Sequence, residues 1–372
     1  MRIGLNALLC SSGRNYRRTG VSRYIDELVR HLAQTEGDDE LIAYVSKGFE
    51  PQHWDGVQLR RAAVRAEKPP VRIAWEMANL PVASRRDRLD VFHGTVNTLP
   101  IGIRGAAAVT VHDLAFLRFP DQVTAKRYQY LSRMIRSSVR RADVVLVPSQ
   151  ATRADVIEAF NIDPDRVVVT PLGVDPRFRP ASPAAISVAR ASYGLQNPYI
   201  LTVGTLEPRK NLPALVRAFA TLRDDVPHDL VLAGPDGWLM DEIEATIRES
   251  GIQERVRRIG FADDAALVAL YSGADAVAMP SLYEGFGLPV LEAMATGAPV
   301  LTSNLSSLPE VAGDAAQLVD PTRIDAIAGG LRHLLESDTL RNQLRAAGPR
   351  QAAKFTWEQT AKLTRGAYQS IA

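Results

Sequence analysis

Glu284 and Glu292 flank a glycine-rich turn with seven residues between them, in the segment 281–300 that reads SLYEGFGLPVLEAMATGAPV. Pro289 has the ring-fixed φ suited to the first turn of a helix, so Gly285, Phe286, Gly287 and Leu288 should deliver free backbone N–H groups at a helix N-terminus. Such an end is an anion site. Glu292, about a turn inside the helix, can face the same pocket as Glu284 in the loop. One surface then offers N–H donors to a phosphate and carboxylates to hydroxyls, and a sugar nucleotide has both groups. The plainer reading is a solvated helix start whose acidic residue is favoured by the dipole. This segment by itself supports either.

A second group of residues favours the ligand. VGTLEPRKNLPALVRAF, residues 203–219, reads as a strand, a turn and a helix, with Gly204 and Thr205 at the strand end and Arg209 and Lys210 in the turn. Lysine is scarce, six in the chain against 38 arginines, so Lys210 at a strand-to-helix turn draws notice. Arg with its fork and Lys as a point charge can neutralise a diphosphate. An isolated Arg-Lys is more often a solvated pair, but the same domain carries Glu284 and Glu292. Near the start, RTGVSRYIDELVRHL places Gly20 and Val21 where a backbone can approach a phosphate or sugar, or where a simple turn precedes a helix capped by Ser22. AVTVHDLAFLRFP puts His112 at a strand end beside Asp113, which can orient it. His93 in VFHGTVN has a similar position without an acidic neighbour.

The elements that must position these groups form a repeating series. Short apolar runs alternate with longer helical patterns, the signature of parallel sheets built from βαβ units. The first series is 3–7, 41–45, 91–93, 107–111, 144–147 and 167–170. The second is 199–203, 230–233, 256–259, 276–279, 300–302 and 317–319. The fold class expected is α/β, with two Rossmann-like domains: residues 1–177, residues 178–354, and a terminal amphipathic helix in 355–372 packing back on the first domain. That helix should turn Trp357, Ala361, Leu363, Thr364 and Tyr368 inward. PRFRPASP, 176–183, has the stiff composition of an interdomain linker. The unusual polar residues lie just after the strands, where open parallel sheets bind ligands, and a cleft between two such edges would collect them.

Composition narrows the setting. At 372 residues and 46% apolar, the chain suits two domains. No run approaches a transmembrane span, and the N-terminus leads directly into a strand, so a cytoplasmic protein is expected. The one cysteine, Cys10, excludes an internal disulfide framework and a Cys-based zinc site. Residues 1–150 carry 23 Lys and Arg against 15 acidic residues, net +8, whereas residues 151–372 carry 21 against 27, net −6. A basic first half suits an anionic membrane surface or a phosphate-bearing acceptor, and the stretch 122–141 concentrates Lys126, Arg127, Arg133, Arg136, Arg140 and Arg141. Nucleic acid is not expected, since no aromatic-interleaved basic motif or helix-turn-helix signal is present.

Taken together, Glu284-x7-Glu292 within EGFGLPVLEAMATGAPV, with GTLEPRKN, PSQATRADVIEAF, VTPLGVD, FHG, VHD and FTWEQTA in register, resembles the retaining glycosyltransferases of family 4, which have the GT-B fold. VFHG, VHDLAFLRFP and GTLEPRKN look most like the bacterial mannosyltransferases of polysaccharide and lipid-linked oligosaccharide assembly. Many members carry two adjacent glycines in the N-terminal loop where this chain has Thr19-Gly20. The resemblance implies transfer of a hexose from a nucleotide diphosphate donor, GDP-mannose first and UDP sugars second, to a saccharide or lipid-linked acceptor, with peripheral contact at the inner face of the membrane. It assigns Arg209 and Lys210 to the diphosphate, Glu284 to donor-sugar hydroxyls and Glu292 to the ribose. The Phe286, Gly287 and Leu288 amides border sugar and phosphate, and His112 lies near the anomeric centre. No metal or other cofactor is implied. Two rivals stand: a dinucleotide-dependent oxidoreductase, against which no G-x-G-x-x-G follows the first strand of either half, and a non-catalytic nucleotide-sugar-binding subunit.

Overall fold

The computed structural model describes residues 1–10, 20–35, 37–64, 69–237 and 240–372. The chain divides into two units, one made of Met1–Gly173 with Thr356–Ala372 and one of Val174–Phe355. In the first, strands β1 (Arg2–Ala7), β2 (Glu40–Val45), β3 (Gln58–Arg61), β4 (Val91–Gly94), β5 (Ala106–Thr110), β6 (Val144–Val147) and β7 (Val167–Val169) form a parallel sheet ordered β3-β2-β1-β4-β5-β6-β7. Its helices are α1 (Gly20–Gln34), α2 (Pro69–Arg86), α3 (Ala115–Arg118), α4 (Ala125–Arg141) and α5 (Gln150–Phe160). Central strands such as β1 and β6 are buried almost throughout because helices cover both faces, which is why they read as continuous apolar runs. The edge strand β3, QLRR, is half-exposed and polar.

The second unit holds β8 (Tyr199–Val203), β9 (Asp229–Ala233), β10 (Val256–Gly260), β11 (Ala276–Met279), β12 (Val300–Ser303) and β13 (Gln317–Val319), parallel and ordered β10-β9-β8-β11-β12-β13. Its helices are α6 (Pro183–Ser192), α7 (Leu212–Ala220), α8 (Met240–Glu249), α9 (Asp264–Gly273), α10 (Leu288–Ala295), α11 (Leu308–Ala312), α12 (Ile324–Glu336) and α13 (Asp338–Ala352). Each unit has its own apolar core, around Ile42, Phe92, Val109 and Val145 in the first and Ile200, Phe219, Leu232 and Leu301 in the second.

The stretch expected as a linker belongs to the second unit. Val174 N donates to Phe355 O at 3.1 Å, and Phe178 is buried with its ring 6.3 Å from that of Tyr271, so the chain crosses at 173–174 and not at 177–178. Gly173 is required at the crossing: a Cβ there would lie 2.2 Å from Trp357 N. Trp357 opens the last helix, α14 (Trp357–Gln369), which lies against α1 in the first unit. Trp357, Ala361, Thr364 and Tyr368 are buried, as the pattern predicts, but Leu363 is only partly so. Thr360 and Ala367 are buried as well, and one further inward position is charged. Arg365 donates to Thr35 O and Leu32 O at 3.1 Å and holds Asp39 at 3.1 Å, so its charge is neutralised by caps and a carboxylate within the unit.

Candidate donor site and the acceptor-side edge

Strand order in the second sheet reverses between β8 and β11, and the loops leaving those two carboxyl ends open the crevice in which such sheets take ligands. After β8, Gly204 and Thr205 lead to a 3-10 turn, Pro208–Lys210, that carries both cations. Asn211 follows with φ 59°, a left-handed conformation that asparagine tolerates. Its Nδ2 donates to Pro280 O at 3.2 Å and Pro321 O at 2.7 Å, and Leu282 N donates to Arg209 O at 2.8 Å. These bonds stitch the β8 loop to the β11 loop, and Glu284 meets the cations. Arg209 Nη1 donates to Glu284 Oε2 at 2.5 Å, Lys210 Nζ to Oε1 at 2.5 Å and Ser281 Oγ to Oε1 at 2.9 Å. Arg209 Nε also pairs with Glu207 at 2.5 Å. Burial works against the charged form of Glu284, but Arg209 and then Lys210 outweigh it and hold the carboxyl at about 2.

The turn after Glu284 is built for close backbone approach. Gly287 has φ 107°, and a Cβ there would sit 2.6 Å from Leu308 Cδ2. It caps α10, with Pro289 in the first turn as the sequence predicts. Among the described residues, the amides of Phe286, Gly287 and Leu288 donate to no protein acceptor, as expected of a helix start. Two residues that the sequence reading missed hold this turn from behind. Ser306 Oγ donates to Glu284 O at 2.6 Å, and the buried Ser307 Oγ lies 2.8 Å from Glu284 O and 2.9 Å from Phe286 O. Phe286 is buried edge-on against Phe355. Glu292 is buried within α10 and accepts from Tyr271 of α9 at 3.4 Å. The geometry therefore joins Arg209, Lys210 and Glu284 directly, with Glu207 as an added partner, while Glu292 has a partner on α9.

His112 belongs to the first unit, just beyond β5. Its Nε2 donates to Thr95 O at 2.9 Å, which fixes the proton on that nitrogen and leaves Nδ1 as the acceptor. Its backbone N donates to Asn97 Oδ1 at 3.0 Å, and Tyr24 meets its ring edge-on at 4.7 Å. Burial lowers the imidazole below its ordinary value, with the Thr95 carbonyl and the Asp113 charge pulling the other way. Asp113 does not orient the ring: its Oδ1 accepts from Ala115 N at 3.0 Å and closes the next turn. Thr95 O orients the ring, and Asn97 fixes the backbone that carries it. His93 is structural. It is fully buried between Tyr368 OH and Thr110 Oγ1, each 2.7 Å away, and burial pushes it down to about 3. Gly20 and Val21 open α1 itself, with Ser22 buried inside the helix and not at its cap. Thr19 lies outside the described residues.

Two parallel α/β units are the architecture of the GT-B glycosyltransferases. The fold matches the sucrose-phosphate synthase of Thermosynechococcus elongatus with a TM-score of 0.79 at 21% identity, covering 100% of this chain and 98% of that one. It also matches Anabaena HepE, solved in complex with UDP and glucose, with a TM-score of 0.77 at 18% identity and full coverage of both chains. Residues 18–178 match the family described as Glycosyltransferase Family 4, and residues 189–351 match Glycosyl transferases group 1. Over 380 residues the chain is 34% identical to the O-antigen chain mannosyltransferase B of Escherichia coli, spanning 96% of this chain and 97% of the relative. The chain belongs to the family-4 glycosyltransferases and is a glycosyltransferase.

Proposed function

We propose that the protein transfers mannose from GDP-mannose, with retention of configuration, to a saccharide or lipid-linked acceptor in cell-surface polysaccharide assembly. The observation that carries this reading is the Arg209–Lys210–Glu284 cluster at the switch point of the second sheet, beside the unpaired amides that start α10. Arg209 and Lys210 take the diphosphate, with Gly204 and Thr205 beside it. Glu284 accepts from donor-sugar hydroxyls, Gly285, Phe286, Gly287 and Leu288 border sugar and phosphate, and Glu292 takes the ribose. His112 acts on the acceptor side, with Gly20, Val21 and Asp113 on the same unit. The leaving diphosphate gains charge in an oxocarbenium-like transition state, so placed cations and a helix start stabilise it more than the ground state. The mannose assignment is supported by the E. coli relative's name and its near-complete coverage.

Thermal shifts with GDP, GDP-mannose, UDP and UDP-glucose test the donor. A ligand at 100-fold over its Kd adds about 2.7 kcal/mol. Stabilisation by the guanine nucleotides is expected; stabilisation by UDP alone would reverse the assignment. Membrane contact is the further part of the reading. On α4, Arg141 is spent on Pro100 O and Leu99 O, and Arg136 lies over Phe160, which leaves Lys126, Arg127, Arg133 and Arg140 as exposed cations. Among the described residues no helix is long and apolar enough to cross a membrane. Four cations at about 1 kcal/mol each favour an anionic leaflet, so cosedimentation should be strong with anionic vesicles at low salt and lost at high salt.

A further inference from the structure

The first sheet also reverses its order, between β1 and β4, and the groups gathered at that crevice include a buried carboxylate and a partly buried guanidinium with unfinished bonding. Glu76 of α2 is 5% exposed and accepts a hydrogen bond from Asn6 Nδ2, at the end of β1, at 3.1 Å. Its cation is Arg72, one turn earlier on α2. The Arg72 Nε stands 3.9 Å from Glu76 Oε1, beyond hydrogen-bond reach, and is buried without an acceptor. A buried carboxylate short of donors thus faces a buried N–H short of an acceptor, an arrangement that native interiors complete.

The chemistry of a partner that fits both follows from the pair. A phosphate would satisfy Arg72 and be repelled by Glu76; a cation would do the reverse. A hydroxyl donates its proton to the carboxylate and accepts from the guanidinium. An oxygen about 2.8 Å from each atom sits comfortably at the apex above a 3.9 Å base. Tyr130 of α4, 37% exposed, stands at the solvent side, close enough that after burial the charges of Glu76 and Arg72 act on its phenol. The pair shares an edge with His112. Thr95 Oγ1 donates to Asn6 O at 2.5 Å, and Thr95 O accepts from His112 Nε2 at 2.9 Å.

We infer that Glu76 and Arg72 form a subsite that binds one hydroxyl of the saccharide acceptor and so determines which acceptor is used. This rests on the proposed transfer to a saccharide, and its test separates the two. The probes are octyl α-D-mannopyranoside and its monodeoxy analogues, with the nucleotide sugar that stabilises the parent. Glu76→Gln should raise the acceptor KM tenfold or more, and Tyr130→Phe, at an exposed position where folding is not at stake, about threefold. Donor KM and acceptor-free donor hydrolysis should stay within twofold in both. One monodeoxy analogue, poor with the parent, should lose its penalty in Glu76→Gln, because the hydroxyl and the carboxylate are partners. Acceptor KM within twofold in both variants, or penalties unchanged for every analogue, would mean that water fills the pair and would overturn the subsite alone. So would a parent that hydrolyses donor yet transfers to none of these mannosides. A parent that neither binds nor hydrolyses any nucleotide sugar would refute the donor reading and take the subsite with it.

Discussion

Substituting Lys210 by Ala and Glu284 by Gln should move nucleotide affinity in opposite directions while both suppress transfer. Each cation stands 2.5 Å from the Glu284 carboxylate, so an incoming diphosphate must compete with that carboxylate for them. A charge-assisted hydrogen bond contributes about 1.5–3 kcal/mol, or roughly 10- to 150-fold in Kd. Lys210→Ala removes one such partner and should weaken GDP by that factor. Glu284→Gln removes the competitor and keeps the side-chain shape, so GDP should bind as tightly as before or more so. Turnover should nonetheless fall roughly 100- to 1,000-fold in each, one losing a cation on the leaving group and the other the carboxylate for the donor sugar. Titration calorimetry with GDP, nucleotide release in the presence of acceptor, and circular dichroism separate affinity, rate and folding. If Glu284→Gln weakens GDP as much as Lys210→Ala does, the carboxylate positions the cations instead of competing for them, and the reasoning fails. Near-normal turnover in either variant removes that residue from the site.

Acid should expose the same cluster. With Glu284 held at about 2 against an ordinary 4.5, its contribution, on the order of 3 kcal/mol, is complete above the ordinary value and drains away as pH falls toward 2; denaturant melts at pH 6 and pH 3 should show a larger loss in the parent than in Glu284→Gln, and equal losses would count against it. Because burial lowers His112, with Thr95 and Asp113 only partly offsetting, the imidazole stays neutral past its ordinary 6.5; kcat/KM should remain flat through that pH and fall only below it, whereas an acid limb at 6.5 or higher would contradict the assigned surroundings. Gly173→Ala forces a methyl to 2.2 Å from Trp357 N and should cost about 1–3 kcal/mol, read as a lowered Tm; an unchanged Tm would show that the α14 start can yield.

Which features the sequence disclosed follows from whether their cause is local. Central parallel strands are apolar on both faces, so β6 and β8 stand out at their observed limits, whereas β3 is an edge strand written QLRR and carries no such signal. Arg209, Lys210 and Glu284 were legible because a strand-end turn advertises charged residues. Ser306 and Ser307 were not, since they act on the Glu284 backbone 22 and 23 residues away in the chain and nothing in NLSSLP says so. Glu207 lies inside the GTLEPRKN motif but passed as an ordinary turn residue; only the fold shows it sharing Arg209 with Glu284. Asp113 misled for the opposite reason. Adjacent side chains leaving a strand point to opposite sides, so proximity to His112 in sequence gave no contact, and the orienting groups came from the β4 loop. Arg365 defeated the apolar periodicity of α14 because its partners are main-chain oxygens at the end of α1.

The charge arithmetic of the donor site bears on what it selects. Arg209 and Lys210 are balanced by Glu207 and Glu284, all four held by contacts of 2.5 Å. A site with two bare cations would hold inorganic phosphate and any other small anion from solution. Here a simple anion gains the cations only by displacing Glu284, and it then leaves that carboxylate buried without donors, which is costly. On the proposed reading a nucleotide sugar offers both halves of the exchange: its diphosphate would take the cations, and its sugar hydroxyls would donate to the carboxylate so released. The amides at the start of α10 add donors for the phosphate that no side chain has to surrender. The same logic runs through the first unit, where Glu76 and Arg72 are arranged so that neither an anion nor a cation completes them but a hydroxyl does. In both places the protein discriminates less by attraction than by the burial cost that an incomplete ligand would leave behind.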